Sequence, residues 1–219
     1  MGIKTLLVEG SDDQDFFSIY CGLLSIKNVN VIPPKALNSG TGDGCGNLIA
    51  NLPILLNQIK AGDVDRLAII LDADYPPNNN GGFVNKFRLI ADQLIQFGYT
   101  VPRNPKFKTG DIFIHSDGLP PVGLWVMPNH QNDGMLENFV EEMILDTEQI
   151  ALLRHADEAI TNLPTTLFDQ RLHSAKARVF TWRAWQKRPG ICLGKALKDG
   201  ILDRSKSVSF EDWLKKVFK

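Results

Sequence analysis

Two apolar runs without polar alternation constrain this chain more than any other feature. Leu6, Leu7 and Val8 run directly into Glu9-Gly10, and Leu67 to Leu71 run directly into Asp72-Ala73-Asp74. A strand with one face in water alternates apolar and polar residues, whereas a strand apolar on both faces must be covered on both. That is the condition of a central strand in a parallel sheet with helices on either side. Each run stops at carboxylates, which places the acids at the carboxyl ends of central strands, where open α/β sheets keep their sites. Gly10 supplies a turn. Ser11 and Gln14 have capping-box spacing, with Asp12 and Asp13 in the positive first turn of a helix.

The rest of the chain extends this pattern. Phe16 to Leu24 recur at helical spacing, giving a helix to about Ser25. Val29, Val31 and Ile32 predict a second strand, stopped by Pro33-Pro34. Gly40 to Gly46 holds four alternate glycines but neither a P-loop ending nor GxGxxG, so it is expected to be a loop entering the next helix. Leu48 to Ile59 form that helix, with Pro53 expected in or near its first turn. After the Asp72–Asp74 strand come a loop at Asn78–Gly82, a helix over Phe83–Phe97 closed by Gly98, and strands at Ile112–His115 and Val122–Met127 around a turn. Gly134-Met-Leu-Glu137 opens a helix through Ile144, and the remainder is helical, with one helix ending at Pro189-Gly190 and a short closing helix at Trp213–Phe218. Successive strand–helix units predict an α/β fold whose mainly parallel central sheet is flanked by helices.

Charge divides the chain. Residues 1–153 carry ten Lys/Arg against 18 Asp/Glu, and residues 154–219 carry 14 against seven. The division predicts an α/β domain over 1–153 and a basic helical C-terminal extension over 154–219 packed on it. An acidic front with a basic tail suits a cation site beside a polyanion-binding surface; charges that dock on each other or face water explain it equally well. Three scattered cysteines and four histidines in no HxxxH pair give no support to a zinc site and fit a reduced, cytoplasmic setting. No run approaches the ~18 apolar residues of a membrane span, so no membrane is expected.

The chemistry concentrates in Glu9, Asp72 and Asp74. If the strand stays extended through Asp72 and Asp74, both carboxylates project from one face. With Glu9 they make three hard oxygen donors, whose mutual repulsion a divalent cation relieves. Oxygen-only ligation favours Mg²⁺ or Mn²⁺, and such ions commonly hold substrate phosphates.

These residues resemble a known family. Val8-Glu9-Gly10 with Asp12-Asp13, followed by Leu71-Asp72-Ala73-Asp74, is similar to the Toprim domain of topoisomerases, primases, OLD-family nucleases and related ribonucleases. Gly134–Glu137 and Trp185–Gly194 resemble a small, functionally uncharacterised prokaryotic family of single-domain Toprim-like proteins. The resemblance covers roughly residues 1–128. It implies a Toprim-like fold, Glu9 as general acid/base or metal ligand, and Asp72 and Asp74 as Mg²⁺ ligands. No topoisomerase tyrosine domain, primase zinc finger or ATPase motif accompanies it, so it brings a phosphoryl-transfer bias without a substrate. A receiver domain or a dehalogenase-type phosphatase would distribute its acids differently along the strands.

Asp13 and Glu137 are possible additional acids, although helix capping and the helix dipole explain them as well. Lys187, Arg188 and Lys195 are possible phosphate contacts. Trp182 and Trp185 suit the core better than base stacking. Two functions follow. One is Mg²⁺-dependent phosphodiester chemistry on DNA or RNA, in the manner of a Toprim-type nuclease. The other is a non-catalytic metal- or nucleotide-binding interaction module working with a separate ATPase or nuclease.

Overall fold

The uninterrupted apolar segments become adjoining parallel strands. The computed structural model describes residues 3–77, 80–102 and 104–219. β1 (Ile3–Leu7) lies between β2 (Val29–Ile32) and β3 (Val64–Asp72), and β3 lies between β1 and β6 (Val122–Met127), all four parallel. β5 (Asp111–His115) runs antiparallel to β6, and the two-residue β4 (Tyr99–Thr100) runs antiparallel to β5. The result is an α/β architecture with one mixed, mostly parallel sheet in the order β2-β1-β3-β6-β5-β4. β4 is too short to leave a periodic trace in the sequence.

Each central strand divides its apolar residues between two cores, as the two-residue period of a strand requires. Leu6, Val8, Ala68, Ile70, Trp125 and Met127 face one core; Leu7, Leu67, Ile69, Leu71, Leu124 and Val126 face the other. The second core is closed by α3 (Cys45–Ala61) and α4 (Phe83–Gln96), through residues such as Leu52, Leu56, Phe87 and Ile90. The first is closed by α1 (Ser11–Leu23), α5 (Leu136–Glu142) and the C-terminal helices: α7 (Gln170–Ala184), α8 (Leu193–Lys198) and α9 (Val208–Val217). α6 (Thr147–Thr161) pairs with α7, and the single turn α2 (Pro34–Leu37) follows β2. α9 lies so close to β6 that a Cβ on Gly123 would stand 2.5 Å from Val217 Cγ2. Among the described residues, no helix is long and apolar enough to cross a membrane.

Several local expectations change. Ser11 does not cap α1: Gly10 occupies the cap position, Gln14 donates to the Val31 carbonyl at 2.7 Å, and the Ser11 hydroxyl turns to Asp43. Pro53 lies inside α3, not in its first turn, because the helix already begins at Cys45. Proline cannot donate to the carbonyl four residues back. That carbonyl, on Ile49, instead accepts from Gln93 Nε2 of α4 at 3.0 Å, which makes the interior proline tolerable. α7 ends at Ala184, ahead of the Pro189-Gly190 stop. Of the loop expected at Asn78–Gly82, Asn78 and Asn79 lie outside the described residues.

At the β5–β6 end, His130 is fully buried. Its Nδ1 accepts from the Val126 amide at 3.0 Å, so Nε2 carries the proton and donates to Asp111 Oδ2 at 3.0 Å. This pair ties the loop after β6 to the start of β5.

Candidate functional site

The acids reach the site because β1 and β3 are neighbours and end together. Glu9 lies just past β1, and its Oε1 accepts from the backbone amide of Asp72, the last residue of β3, at 2.9 Å. Asp72 in turn accepts through Oδ1 from the amide of Leu136, the first residue of α5, at 2.9 Å. Strand end, strand end and helix start are thus joined by two carboxylate–amide bonds.

The strand does not stay extended to Asp74, which adopts φ +58°, a left-handed conformation that costs a non-glycine residue free energy. Two backbone bonds with Gly134 hold it there, Asp74 N–H to Gly134 O at 2.7 Å and Gly134 N–H to Asp74 O at 3.2 Å. Its carboxylate accepts from Lys86 Nζ at 2.7 Å, and the Lys86 side chain is wholly buried.

Glu9, Asp13, Asp72, Asp74 and Glu137 line one cavity of about 230 Å³. Asp13 comes from the first turn of α1, and Glu137, 8% exposed, from the first turn of α5. The glycine-rich segment leads into α3 and is tied to the end of β1. Its Gly44 amide donates to the Glu9 carbonyl at 2.8 Å, while Asp43 pairs with Lys35 at 2.9 Å.

Crowding these acids has an electrostatic cost that appears in their proton affinity. Burial pushes the Glu9 carboxyl up to about 7; its bond from the Asp72 amide opposes the rise and the Asp74 charge adds to it. Burial, then repulsion from Glu137, pushes Asp13 up to about 7. Asp72 is driven well above the usual carboxylate range by burial and by the charges of Glu9 and Asp13. Glu137 is raised by burial, against the pull of Lys176. Such a cluster must hold protons or gain positive charge.

Among the described residues, no three His, Cys, Asp or Glu side chains already stand as a metal-holding group. One oxygen of each strand-end carboxylate is already engaged, Glu9 and Asp72 by an amide and Asp74 by Lys86. The donor set itself, all oxygen and short of positive charge, suits a hard divalent cation.

The cavity also has cations in its lining. Lys176 and Arg183 of α7, with His173, line the same cavity. The basic residues expected as phosphate contacts do not line it. Lys187 and Arg188 are exposed beyond α7, and Lys195 is paired with Asp199 on α8. Trp182 is core, donating to Gln149 Oε1 at 2.9 Å, and Trp185 lies 5.3 Å from the His155 ring.

Lys86 is absent from the sequence reading, yet it leaves a signal there. It falls within the apolar stripe of α4 formed by Phe83, Phe87, Ile90, Ala91 and Leu94, where a lysine needs a buried partner. Lys176 and Arg183 leave only a positional signal: they are seven residues apart and share one face of α7 with His173 and Phe180, away from its buried Ala175, Val179 and Trp182.

A family model described as "Protein of unknown function (DUF3226)" matches residues 3–219 of the chain. No curated protein and no solved structure matches it.

Proposed function

We propose, for a chain that belongs to the DUF3226 family and draws no function from that membership, that the acidic cavity binds Mg²⁺ or Mn²⁺ and carries out phosphodiester chemistry on nucleic acid, in the manner of a Toprim-type nuclease. One observation carries this reading: acids from the ends of β1 and β3 and the starts of α1 and α5 converge on a single cavity that Lys176 and Arg183 of α7 also line. The Toprim resemblance draws the same support from Glu9 and Asp72 standing at the ends of adjacent parallel strands.

Glu9, Asp72 and Asp74 would hold the ion, with Asp13 and Glu137 within reach as further oxygen donors. A bound divalent cation would supply charge to polarise a phosphoryl oxygen and offset the charge that builds on it. The chain's own residues do the rest. Without the ion the Glu9 carboxyl is raised to about 7 by burial; where Asp72 and Asp74 hold the ion and Glu9 does not, Glu9 would serve as the general acid or base. Lys86 fixes Asp74 and supplies one buried positive charge. Lys176 and Arg183 offer donors to phosphate oxygens from α7.

Thermal unfolding tests the metal. Because a ligand of the folded state alone stabilises it by mass action, Mn²⁺ should raise the Tm of the wild type by several degrees. Asp72→Asn should lose most of that shift while remaining folded; an equal shift in both proteins would reject the site. Labelled DNA and RNA then test the chemistry, with Glu9→Gln expected to abolish cleavage.

A second reading, a non-catalytic metal- or nucleotide-binding module that serves a separate ATPase or nuclease, is favoured by the engagement of all three strand-end carboxylates within the fold. Metal-dependent stabilisation without turnover of any nucleic acid would select it.

A further inference from the structure

A shallow apolar recess of about 250 Å³ adjoins the acidic cavity and shares His173 and Lys176 with it. Phe168, Ala177 and Phe180 form the rest of its lining. Phe180 is 43% exposed on α7, and two cations of the same helix stand near its ring, Lys176 Nζ 5.9 Å and Arg183 Cζ 4.9 Å from the centroid. The Lys176 charge also acts on Asp13 and Glu137 of the acidic cavity, which sets it at the junction of the two hollows. An aromatic surface therefore sits directly beside two cations that open onto a metal-type acid cavity. That order of surfaces matches one nucleotide unit, a flat base next to a phosphate. An apolar protein side chain anchored in the recess would bring no anion to the two cations beside it.

We propose that the recess is a base-binding shelf: single-stranded nucleic acid lays an unstacked base against Phe168 and Phe180, and the adjoining phosphate is held by Lys176 and Arg183 at the mouth of the acidic cavity. This deepens the function proposed above and rests on it for the identity of the strand. A duplex keeps its base faces stacked on one another, so only a base out of the stack reaches an aromatic shelf. The shelf thereby selects single strands, loops or frayed ends over continuous duplex.

Fluorescence anisotropy of the full chain with chelator present tests this, using a labelled single strand, its duplex, and the same strand made abasic. The single strand is expected to bind at least tenfold more tightly than the duplex. Phe180→Ala should weaken single-strand binding about tenfold, within the range measured for base–aromatic stacking. The abasic strand should be weakened equally and should not respond to Phe180→Ala, while Phe180→Trp should retain binding. Unchanged single-strand affinity in a Phe180→Ala protein that melts like the wild type overturns the shelf, as does equal binding of duplex. Wild type that responds to Mn²⁺ but binds no oligonucleotide at low salt overturns the shelf and leaves the metal reading standing. Base-dependent binding without any Mn²⁺ response upholds the shelf and overturns the metal reading. Self-association abolished by Phe180→Ala, with no oligonucleotide bound, would assign the recess to protein contact.

Discussion

Glu9 and Asp13 hold protons near neutrality because the fold desolvates them among other acids, and this has a consequence for stability. Their ordinary values are 4.5 and 3.8, and both are pushed up to about 7. Between those limits the folded state binds more protons than the unfolded chain, so the stability they contribute is full below about pH 4 and is lost as pH rises to 7. The slope is about 1.4 kcal/mol per pH unit for each group. Urea unfolding of metal-free protein should therefore give a lower free energy at pH 8 than at pH 5. Glu9→Gln should reduce the difference, and Mn²⁺ at pH 8 should restore the loss. Lys86 works in the opposite sense. Lys86→Met preserves bulk but strands the Asp74 carboxylate, and should cost about 2–3 kcal/mol, below the full penalty of a broken buried pair because Asp74 is 32% exposed. Adding Asp74→Asn should recover most of that loss in the same denaturation assay. The acids were legible because carboxylates that end apolar strands are conspicuous. Their cations were not, because a lysine's meaning depends on what lies across the cavity.

At the scale of elements, close approach decides positions that the apolar pattern leaves open. Gly123 interrupts an otherwise bulky β6, and α9 fills the space where a side chain would stand. Gly123→Ala should push Val217 and destabilise the protein by about 1–3 kcal/mol, the usual cost of overpacking a core. Val217→Ala in the same chain should relieve part of it, a coupling readable from a double-mutant cycle. Gly194 makes the equivalent contact between α8 and α1, where a Cβ would meet Ile19 Cδ1 at 2.7 Å and the Asp15 carbonyl at 3.0 Å. The strands and main helices could be read from the period of their apolar residues. The interior Pro53 could not be placed, because the Gln93 bond that relieves it comes from another helix, 44 residues away in sequence. The turn at Asp74 was hidden for a similar reason: Gly134, distant in sequence, imposes it.

For the whole molecule, the charge boundary near residue 154 is not a boundary in packing. Val179, Trp182, Leu193, Phe210, Trp213 and Leu214 share one core with Leu6, Phe16, Trp125 and Phe139. A chain ended after Leu153 should consequently show no cooperative thermal transition, whereas the full chain should melt in a single step. Calorimetry distinguishes the outcomes, and an independent transition in the shortened chain would show that 1–153 folds alone. Composition separates an acidic segment from a basic one but could not show that residues of both line one cavity. The arrangement also fixes an order of events during synthesis. Glu9 precedes Lys176 and Arg183 by some 170 residues. A ribosome therefore releases the acids of the cavity long before α7, and the lining they share is complete only once α7 has emerged and docked.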